Sequence, residues 1–244
     1  MRVAALYDIH GNLPAVEAVL AEVDAEAPDV VLAGGDVASG PMPQETLELL
    51  RSLGDRIRLV RGNADRVLDF AGADGGDLEL WKRSRLWVAE RLGNEHLRFL
   101  NALPLDVVLD VEGFGPVRFC HAAPASDEEA ITRLTPNERV LRLLAGVDER
   151  VVVCGHTHVQ FDRTVDGFRV VNAGSVGAPY EVKPGAYWLL LGPDVSLRRT
   201  PYDVASAAAR IRASGYPNLA YLEEMLVEDR TRPDRMSALI ERSA

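Results

Sequence analysis

Each short apolar run in the first sixty or so residues stops at polar, chemically capable side chains, and helical stretches separate one run from the next. Residues 2–8 (RVAALYD) read as a buried strand that closes on a carboxylate, and 29–34 (DVVLAG) as a second strand leading to Gly35-Asp36. Residues 57–61 (IRLVR) give a third, running into Gly62-Asn63. Between the first two, Asn12 is placed to cap a helix with Leu13, Val16, Val19, Leu20 and Val23 at helical spacing, and Pro28 stops it. Pro41 and Pro43 mark a loop before a helix near 44–53. Strand, helix, strand, helix, strand implies βαβ units and a mostly parallel sheet. Such sheets gather ligands beyond the carboxyl ends of their strands. The polar residues at those ends are therefore where function is to be sought.

The rest of the chain is patterned differently. Residues 77–92 (DLELWKRSRLWVAERL) are helical, and Asn94 can cap a shorter helix up to Ala102. Leu103-Pro104 opens two strands, 105–111 and 116–120, and a helix near 136–145 precedes the very apolar strand 151–154 (VVVC). Strands then dominate over 160–165, 168–172, 186–191 and 195–199, separated by Asp-Gly and Gly-Pro turn signals. From Asp203 the pattern is helical in pieces broken at Gly215, Pro217 and Pro233. With no repeat, low-complexity tract or linker, residues 1–244 read as a single domain in which 201–244 form a helical C-terminal extension.

Composition narrows the partners. The net charge of −10, from 27 Lys and Arg against 37 Asp and Glu, argues against stable nucleic-acid binding, which needs a basic patch or stripe. It does not argue against a phosphorylated substrate, because a bound metal reverses the local sign. No run approaches the ~18 apolar residues of a membrane span, and MRVAALYDIH lacks the extended apolar core of a signal peptide. The expectation is a cytoplasmic protein with no membrane partner. Cys120 and Cys154 make no disulfide framework and read as small buried hydrophobes.

Four of the five histidines, His10, His121, His156 and His158, fall at a strand end or in the loop after it, and the same loops carry Asp8, Asp36 and Asn63. The pieces are Asp8-Ile9-His10-Gly11-Asn12, Gly34-Gly35-Asp36, Gly62-Asn63-Ala64-Asp65, Cys120-His121 and Gly155-His156-Thr157-His158. Taken singly, each has a plain alternative. An Asp at a strand end is commonly a turn or cap residue, and a His beside a Cys is commonly a satisfied core residue. Their joint occurrence is different, since it gathers most of the histidines into loops where a sheet binds ligands. Imidazole with carboxylate suits first-row divalent metals such as Mn, Fe, Co, Ni or Zn better than Ca or Mg alone.

These five pieces, in this order, resemble the calcineurin-like metallophosphoesterase superfamily, in particular its small bacterial and archaeal branch of YfcE-type phosphodiesterases and diadenosine tetraphosphatase-like proteins. Asp8 through Leu20 (DIHGNLPAVEAVL), Leu97 through Pro104 (LRFLNALP) and Asn172 through Gly177 (NAGSVG) carry the same likeness, which covers roughly residues 2–200. The resemblance implies an α/β fold, a four-layer α/β/β/α sandwich of two mixed β-sheets flanked by helices. It also implies two divalent transition-metal ions, manganese first and Fe, Zn, Ni or Co as alternatives. Asp8, His10 and His158 would hold one ion, Asn63, His121 and His156 the other, and Asp36 would bridge them. These seven are the expected catalytic and metal residues, a metal-bridging hydroxide being the implied attacking group. An Asp suits the bridging position, because two cations a few ångströms apart need a shared anionic ligand.

One position departs from the wider pattern. Many members have a His after the Asn of the third piece, where it helps protonate the leaving group; here Ala64 stands there and has no proton to give. The YfcE-type branch often lacks this His too. Asn12, Asp65 and Arg66 are further candidates for contact with substrate or support of the ligands, as is Arg61, although cap, turn and solvated surface roles explain them equally. Trp81 and Trp87 offer a helix that can cap the cleft and stack on a base, against the plainer role of a partly buried helix face.

The expected function is hydrolysis of a small phosphorylated substrate, a nucleotide included. A phosphodiester is favoured over a phosphoanhydride or phosphomonoester. The alternatives are a diadenosine tetraphosphatase, a serine/threonine protein phosphatase, or a non-catalytic protein-interaction scaffold of the same fold. Competent residues at all seven ligand positions favour an enzyme over a scaffold. A nucleotide-binding doubly wound sheet is disfavoured by the lack of a G-x-G-x-x-G or Walker pattern. A homo-oligomer is left open by the C-terminal helices, with Leu219, Tyr221, Leu222, Met225 and Leu226 available to join a partner or cover the sheet edge.

Overall fold

A computed structural model describes residues 1–68, 78–218, 229 and 232–243. In chain order its strands are β1 (Val3–Leu6), β2 (Val30–Ala33), β3 (Ile57–Leu59), β4 (Asp106–Val111), β5 (Gly115–Cys120), β6 (Val151–Cys154), β7 (Phe161–Val165), β8 (Phe168–Asn172), β9 (Ala186–Leu191) and β10 (Val195–Thr200). The helices are α1 (Leu13–Glu26), α2 (Pro43–Arg51), α3 (Leu78–Asn101), α4 (Asn137–Leu143), α5 (Val204–Ser214) and α6 (Arg232–Ser243). Two five-stranded sheets result, one ordered β10-β9-β1-β2-β3 and the other β4-β5-β6-β8-β7. The first runs parallel through β1-β2-β3 to its edge and the second through its centre, β5-β6-β8, and the remaining pairings are antiparallel.

The alternation along β1 sets the layers. Val3, Ala5 and Tyr7 turn toward the second sheet and meet Val117, Phe119, Val151, Val153 and Val171. Ala4 and Leu6 turn the other way, under Val16, Val19 and Val23 of α1, Leu47 and Leu50 of α2, and Val88, Leu97 and Leu100 of α3. The outer face of the second sheet, Cys120, Val152, Cys154 and Val170 among it, packs on Val140 and Leu144 at α4. The order is thus α/β/β/α: two mixed sheets with helices outside. Strands covered on both faces have no polar face to show, which is why β1, β2 and β6 are uniformly buried apolar runs.

Local signals place most boundaries. Asn12 caps α1, its side-chain oxygen accepting from Ala15 N at 3.3 Å. Asp203 caps α5 the same way, accepting from Ser206 N at 3.0 Å, and Gly215 ends that helix in the left-handed conformation. The expected pair of helices is present within α3, which is two helical runs meeting at a kink at Gly93, whose φ of 64° is left-handed. Pro233 falls in the first turn of α6, where a missing N–H costs nothing. Trp87 packs half-buried on the α-layer core, edge-on to Tyr216 at 5.4 Å and beneath the Arg91 guanidinium at 3.5 Å. That makes it a packing residue rather than part of a cap over the cleft. Arg85 lies over the Trp81 ring at 4.7 Å.

The two described C-terminal helices dock on opposite sides. On α5, Arg210 pairs with Glu17 of α1 at 2.5 Å and Ile211 packs with Met42 and Leu13. On α6, Glu241 accepts from the hydroxyls of Thr132 (2.7 Å) and Thr135, and Asp234 pairs with Arg133. The expected oligomer contacts of Leu219, Tyr221, Leu222, Met225 and Leu226 lie outside the described residues, as does residue 77. No described helix is long and apolar enough to cross a membrane.

Candidate metal centre

All seven candidate ligands follow the carboxyl ends of parallel strands. Asp8 and His10 come after β1, Asp36 after β2, Asn63 after β3, His121 directly after β5, and His156 and His158 after β6. Five of them sit on strained backbone, with positive φ at Asp8 (50°), His10 (47°), Asp36 (52°), His156 (65°) and His158 (58°). Among the described residues only Ala27, at the end of α1, and Asp166, in an Asp-Gly turn, share that region without being glycine. The left-handed region costs an L-residue about 1–2 kcal/mol. Its concentration in one set of loops marks geometry held for function rather than stability.

The side chains converge. Asp8, His10 and His158 form one group with ligand atoms mutually within 4.8 Å, and Asp8, Asp36 and His121 form another. His158 Nε2 lies 3.3 Å from Asp8 Oδ1 and 3.2 Å from His10 Nε2. His121 Nε2 lies 3.8 Å from Asp8 Oδ1, 3.6 Å from Asp36 Oδ1 and 3.1 Å from Asn63 Oδ1. Asp36 reaches the other half as well, with Oδ2 at 3.6 Å from His10 Nε2. The His156 ring stands edge-on to His121 at 5.1 Å between centroids, outside both of those groups.

The outward nitrogen of three rings is already engaged. The Nδ1 atoms of His10, His121 and His158 stand against the carbonyl oxygens of Ser39 (3.2 Å), Gly34 (2.9 Å) and Ala178 (2.6 Å). A carbonyl can only accept, so Nδ1 carries the proton and Nε2 presents a lone pair inward. The centre thus gathers three imidazole lone pairs, two carboxylates and the Asn63 amide oxygen, all acceptors. Asp8 Oδ1 is buried and has no hydrogen-bond donor, although Oδ2 accepts from His156 N at 2.7 Å. Acceptors with nothing to accept are costly to bury, and a cation satisfies them together. These residues fit divalent metal ions.

Protons compete for the same atoms. Burial pushes His121 down, but the carboxylates of Asp36 and Asp8 outweigh it and hold its pKa above the ordinary imidazole value. His158 is raised in the same manner, chiefly by Asp8. Burial dominates at His156, pulling it down to about 4, and at His10, which is also lowered. Burial pushes Asp8 up, yet His158, His121 and His10 together hold it well below the usual carboxylate range.

The weaker candidates occupy other places. Asn12 is buried and used by its own scaffold, Nδ2 donating to Gly177 O at 2.9 Å in addition to its cap. Asp65 is buried between loops, accepting from Gly62 N and Val37 N, both at 2.9 Å, and so ties the Asn63 loop to the Asp36 loop. Burial and the nearby Asp36 push its pKa up to about 7. Arg61 and Arg66 both bind Asp127, at 3.3 and 3.2 Å, and Arg66 also reaches Glu128 at 2.5 Å. These two arginines buttress one loop against another through Asp127.

Sequence reasoning missed several supports. Asn172 donates to Gly155 O (2.6 Å) and Thr157 Oγ1 (3.0 Å), fixing the turn that carries His156 and His158. Ser175 Oγ donates to Asp8 O at 2.7 Å. The stretch 172–177 was visible as a family likeness, but nothing in it specifies these partners. Tyr180 stacks on His158 with centroids 4.9 Å apart and planes at 21°. No periodicity or spacing announces that contact.

Residues 1–191 match the family model described as the calcineurin-like phosphoesterase superfamily domain. An uncharacterized protein of Methanocaldococcus jannaschii is 27% identical over 240 residues, covering 88% of this chain and 93% of that one. Among solved structures, a metallophosphoesterase from Sphaerobacter thermophilus has a TM-score of 0.72 at 27% identity, covering 93% of this chain and 99% of that one. A hypothetical protein from Pyrococcus horikoshii has a TM-score of 0.77 at 20% identity, with 94% and 99% covered. The E. coli phosphoesterase YfcE shares the fold at a TM-score of 0.51 and 20% identity, with 82% of this chain and all of that one (100%) covered.

Proposed function

The chain belongs to the calcineurin-like phosphoesterase superfamily, and on that premise we propose that it is a phosphoesterase dependent on two divalent transition-metal ions that prefers phosphodiesters to phosphomonoesters. The observation that carries this is the all-acceptor centre, with three Nε2 lone pairs turned inward by backbone carbonyls around the donorless Asp8 Oδ1. Asp8, His10 and His158 would hold one ion and Asn63, His121 and His156 the other, with Asp36 shared. Bound ions of this kind activate water and neutralise charge on phosphoryl oxygens. Manganese suits the set, as do Fe, Zn, Ni and Co. The substrate is a small phosphorylated molecule, nucleotides included.

The chain's own part is positioning. Ser39, Gly34 and Ala178 fix ring tautomers through their carbonyls, and Ala64 N donates to Asp36 Oδ1 at 2.8 Å, setting the shared carboxylate. Ala64 itself is buried and offers no acid for a departing alkoxide. Substrates with aryl or phosphoanhydride leaving groups are therefore turned over well and simple alkyl monoesters poorly. An Ala64→His variant narrows that gap by accelerating the alkyl ester; no gain there would remove Ala64 as its cause.

Affinity for Mn²⁺ depends on pH with a definite sign. His121 and His158 hold protons more tightly than ordinary imidazoles, so the ion must displace them. Affinity is greatest at high pH and starts to fall while still above pH 6.5, by about tenfold per pH unit for each proton displaced. Calorimetric titration across pH 5.5–8.5 reads this; a flat profile would contradict the lone-pair assignment.

The direct test uses chelator-stripped protein reloaded with Mn²⁺ and compares bis-p-nitrophenyl phosphate with p-nitrophenyl phosphate. Faster turnover of the diester supports the proposal. Faster turnover of the monoester overturns the diesterase preference while keeping the enzyme. Failure to bind any metal would promote the non-catalytic scaffold.

A further inference from the structure

The C-terminal helix touches the metal centre through one intermediary. Residues 178–180 grip His158 at three points. Ala178 O receives Nδ1–H at 2.6 Å, Tyr180 N donates to His158 O at 3.0 Å, and the Tyr180 ring stacks on the imidazole at 4.9 Å. The guanidinium of Arg232, the first residue of α6, lies over the Tyr180 ring, 5.2 Å from its centroid, and is buried. Just upstream, Asp229 N donates to Val182 O at 3.2 Å, Arg232 N donates to Asp229 O at 3.2 Å, and Arg235 pairs with Asp229 at 3.2 Å. At its far end, α6 is anchored by Glu241 on Thr132 and Thr135, with Arg139 at 3.6 Å.

His158 needs such support for a physical reason. Its backbone is left-handed, with φ of 58°, so the chain alone does not favour the pose that aims Nε2 at Asp8. A stacked ring restricts rotation of the imidazole, and a cation over that ring holds it by its negative face. We propose that Arg232 and Tyr180 are positioning residues for the ion held by Asp8, His10 and His158, so that α6 completes that half of the centre. This rests on the metal-centre assignment above and goes beyond it, because neither residue belongs to the ligand set and α6 lies beyond the 1–191 family match.

Loss of an outer partner of a metal ligand typically costs 10–100-fold in affinity. With full-length protein stripped of metal and titrated with Co²⁺, two binding steps are followed by visible absorption. Arg232→Ala and Tyr180→Leu should each weaken one step by about tenfold or more and change its absorption band, leaving the other step in place. Tyr180→Phe keeps the ring and should behave as the parent. The Arg232→Ala/Tyr180→Leu double variant should bind no more weakly than the worse single variant, because both act along one path. His158→Ala separates the two levels of inference by removing the step that the single variants weaken. If His158→Ala does so while Arg232→Ala titrates like the parent, the role of α6 is overturned alone. Equal weakening of both steps overturns it too, since a general loss of fold would not single out one ion. If His158→Ala leaves both steps intact, the ligand assignment fails and the role of α6 falls with it.

Discussion

Asp36→Asn should cut turnover of bis-p-nitrophenyl phosphate by about 10³-fold or more in Mn²⁺-loaded protein, well beyond the 10–100-fold typical of an outer partner of a ligand. The substitution is isosteric, and the amide oxygen can still accept from Ala64 N, so the loop keeps its shape. What changes is the other oxygen. Asp36 Oδ2, 3.6 Å from His10 Nε2, becomes an NH₂ group that cannot ligate, while Oδ1 on the His121 side loses its charge. Asp36 presents one oxygen to each half of the centre, as Asp8 Oδ1 also faces both His158 and His121, so its loss should disturb both ions. Metal-free stability should hold or rise slightly, because a carboxylate among acceptors has been neutralised. Asp65→Asn serves as the contrast. Asp65 receives Gly62 N and Val37 N and faces no ligand directly, so its loss should fall in the milder range. An Asp36→Asn variant keeping a tenth of the parent's turnover, with unchanged Co²⁺ spectra, would remove Asp36 from the centre.

The fold was legible because its central strands are covered on both faces. Val3–Leu6, Val30–Ala33 and Val151–Cys154 are apolar without alternation, and each is followed within two residues by Asp, Gly or His. The positions of the seven candidate ligands followed from the same fact, since a parallel sheet turns its strand ends to one side. Long-range pairing was not legible. Arg61 and Arg66 read as solvated surface residues or as candidates for a substrate phosphate, because nothing local shows Asp127 arriving between them. Trp87 read more readily as a partly buried helix face than as a cap, and its place against Tyr216 and the α-layer decides for the former. Tyr180 and Arg232 gave no signal, as their contacts join a loop to a helix that the chain reaches only near its end. The left-handed backbone at five candidate ligands was equally hidden. Asp and His tolerate that region better than most residues without announcing it.

Gly62→Ala should have the second large effect, for reasons of space rather than backbone freedom. Gly62 has φ of −96°, which any residue can adopt. A Cβ built there, however, falls 2.2 Å from Asp36 Oδ1 and 2.3 Å from Asp36 N. The first contact could be relieved by a side-chain rotation, but the second is backbone. Asp36 is itself pinned, its carbonyl receiving His10 N at 2.7 Å and the next residue's N–H bound to Asp65. The Asn63 loop must therefore retreat, giving up the bond from Ala64 N to Asp36 and that from Gly62 N to Asp65. Overpacking costs about 1–3 kcal/mol, and each lost hydrogen bond adds about 1 kcal/mol. At about 2–4 °C per kcal/mol for a chain of this size, Tm should fall by roughly 10 °C. Turnover should fall about 10²-fold, the usual consequence of misplacing a reacting group by about 1 Å. Gly54→Ala is the matched control, with φ of +59° and open space around its Cβ. It should lose only the left-handed penalty of about 1–2 kcal/mol and keep full activity. Should Gly62→Ala prove no worse than Gly54→Ala in both measurements, the contact between these loops is soft, and the position of Asp36 must be set by its own strand alone.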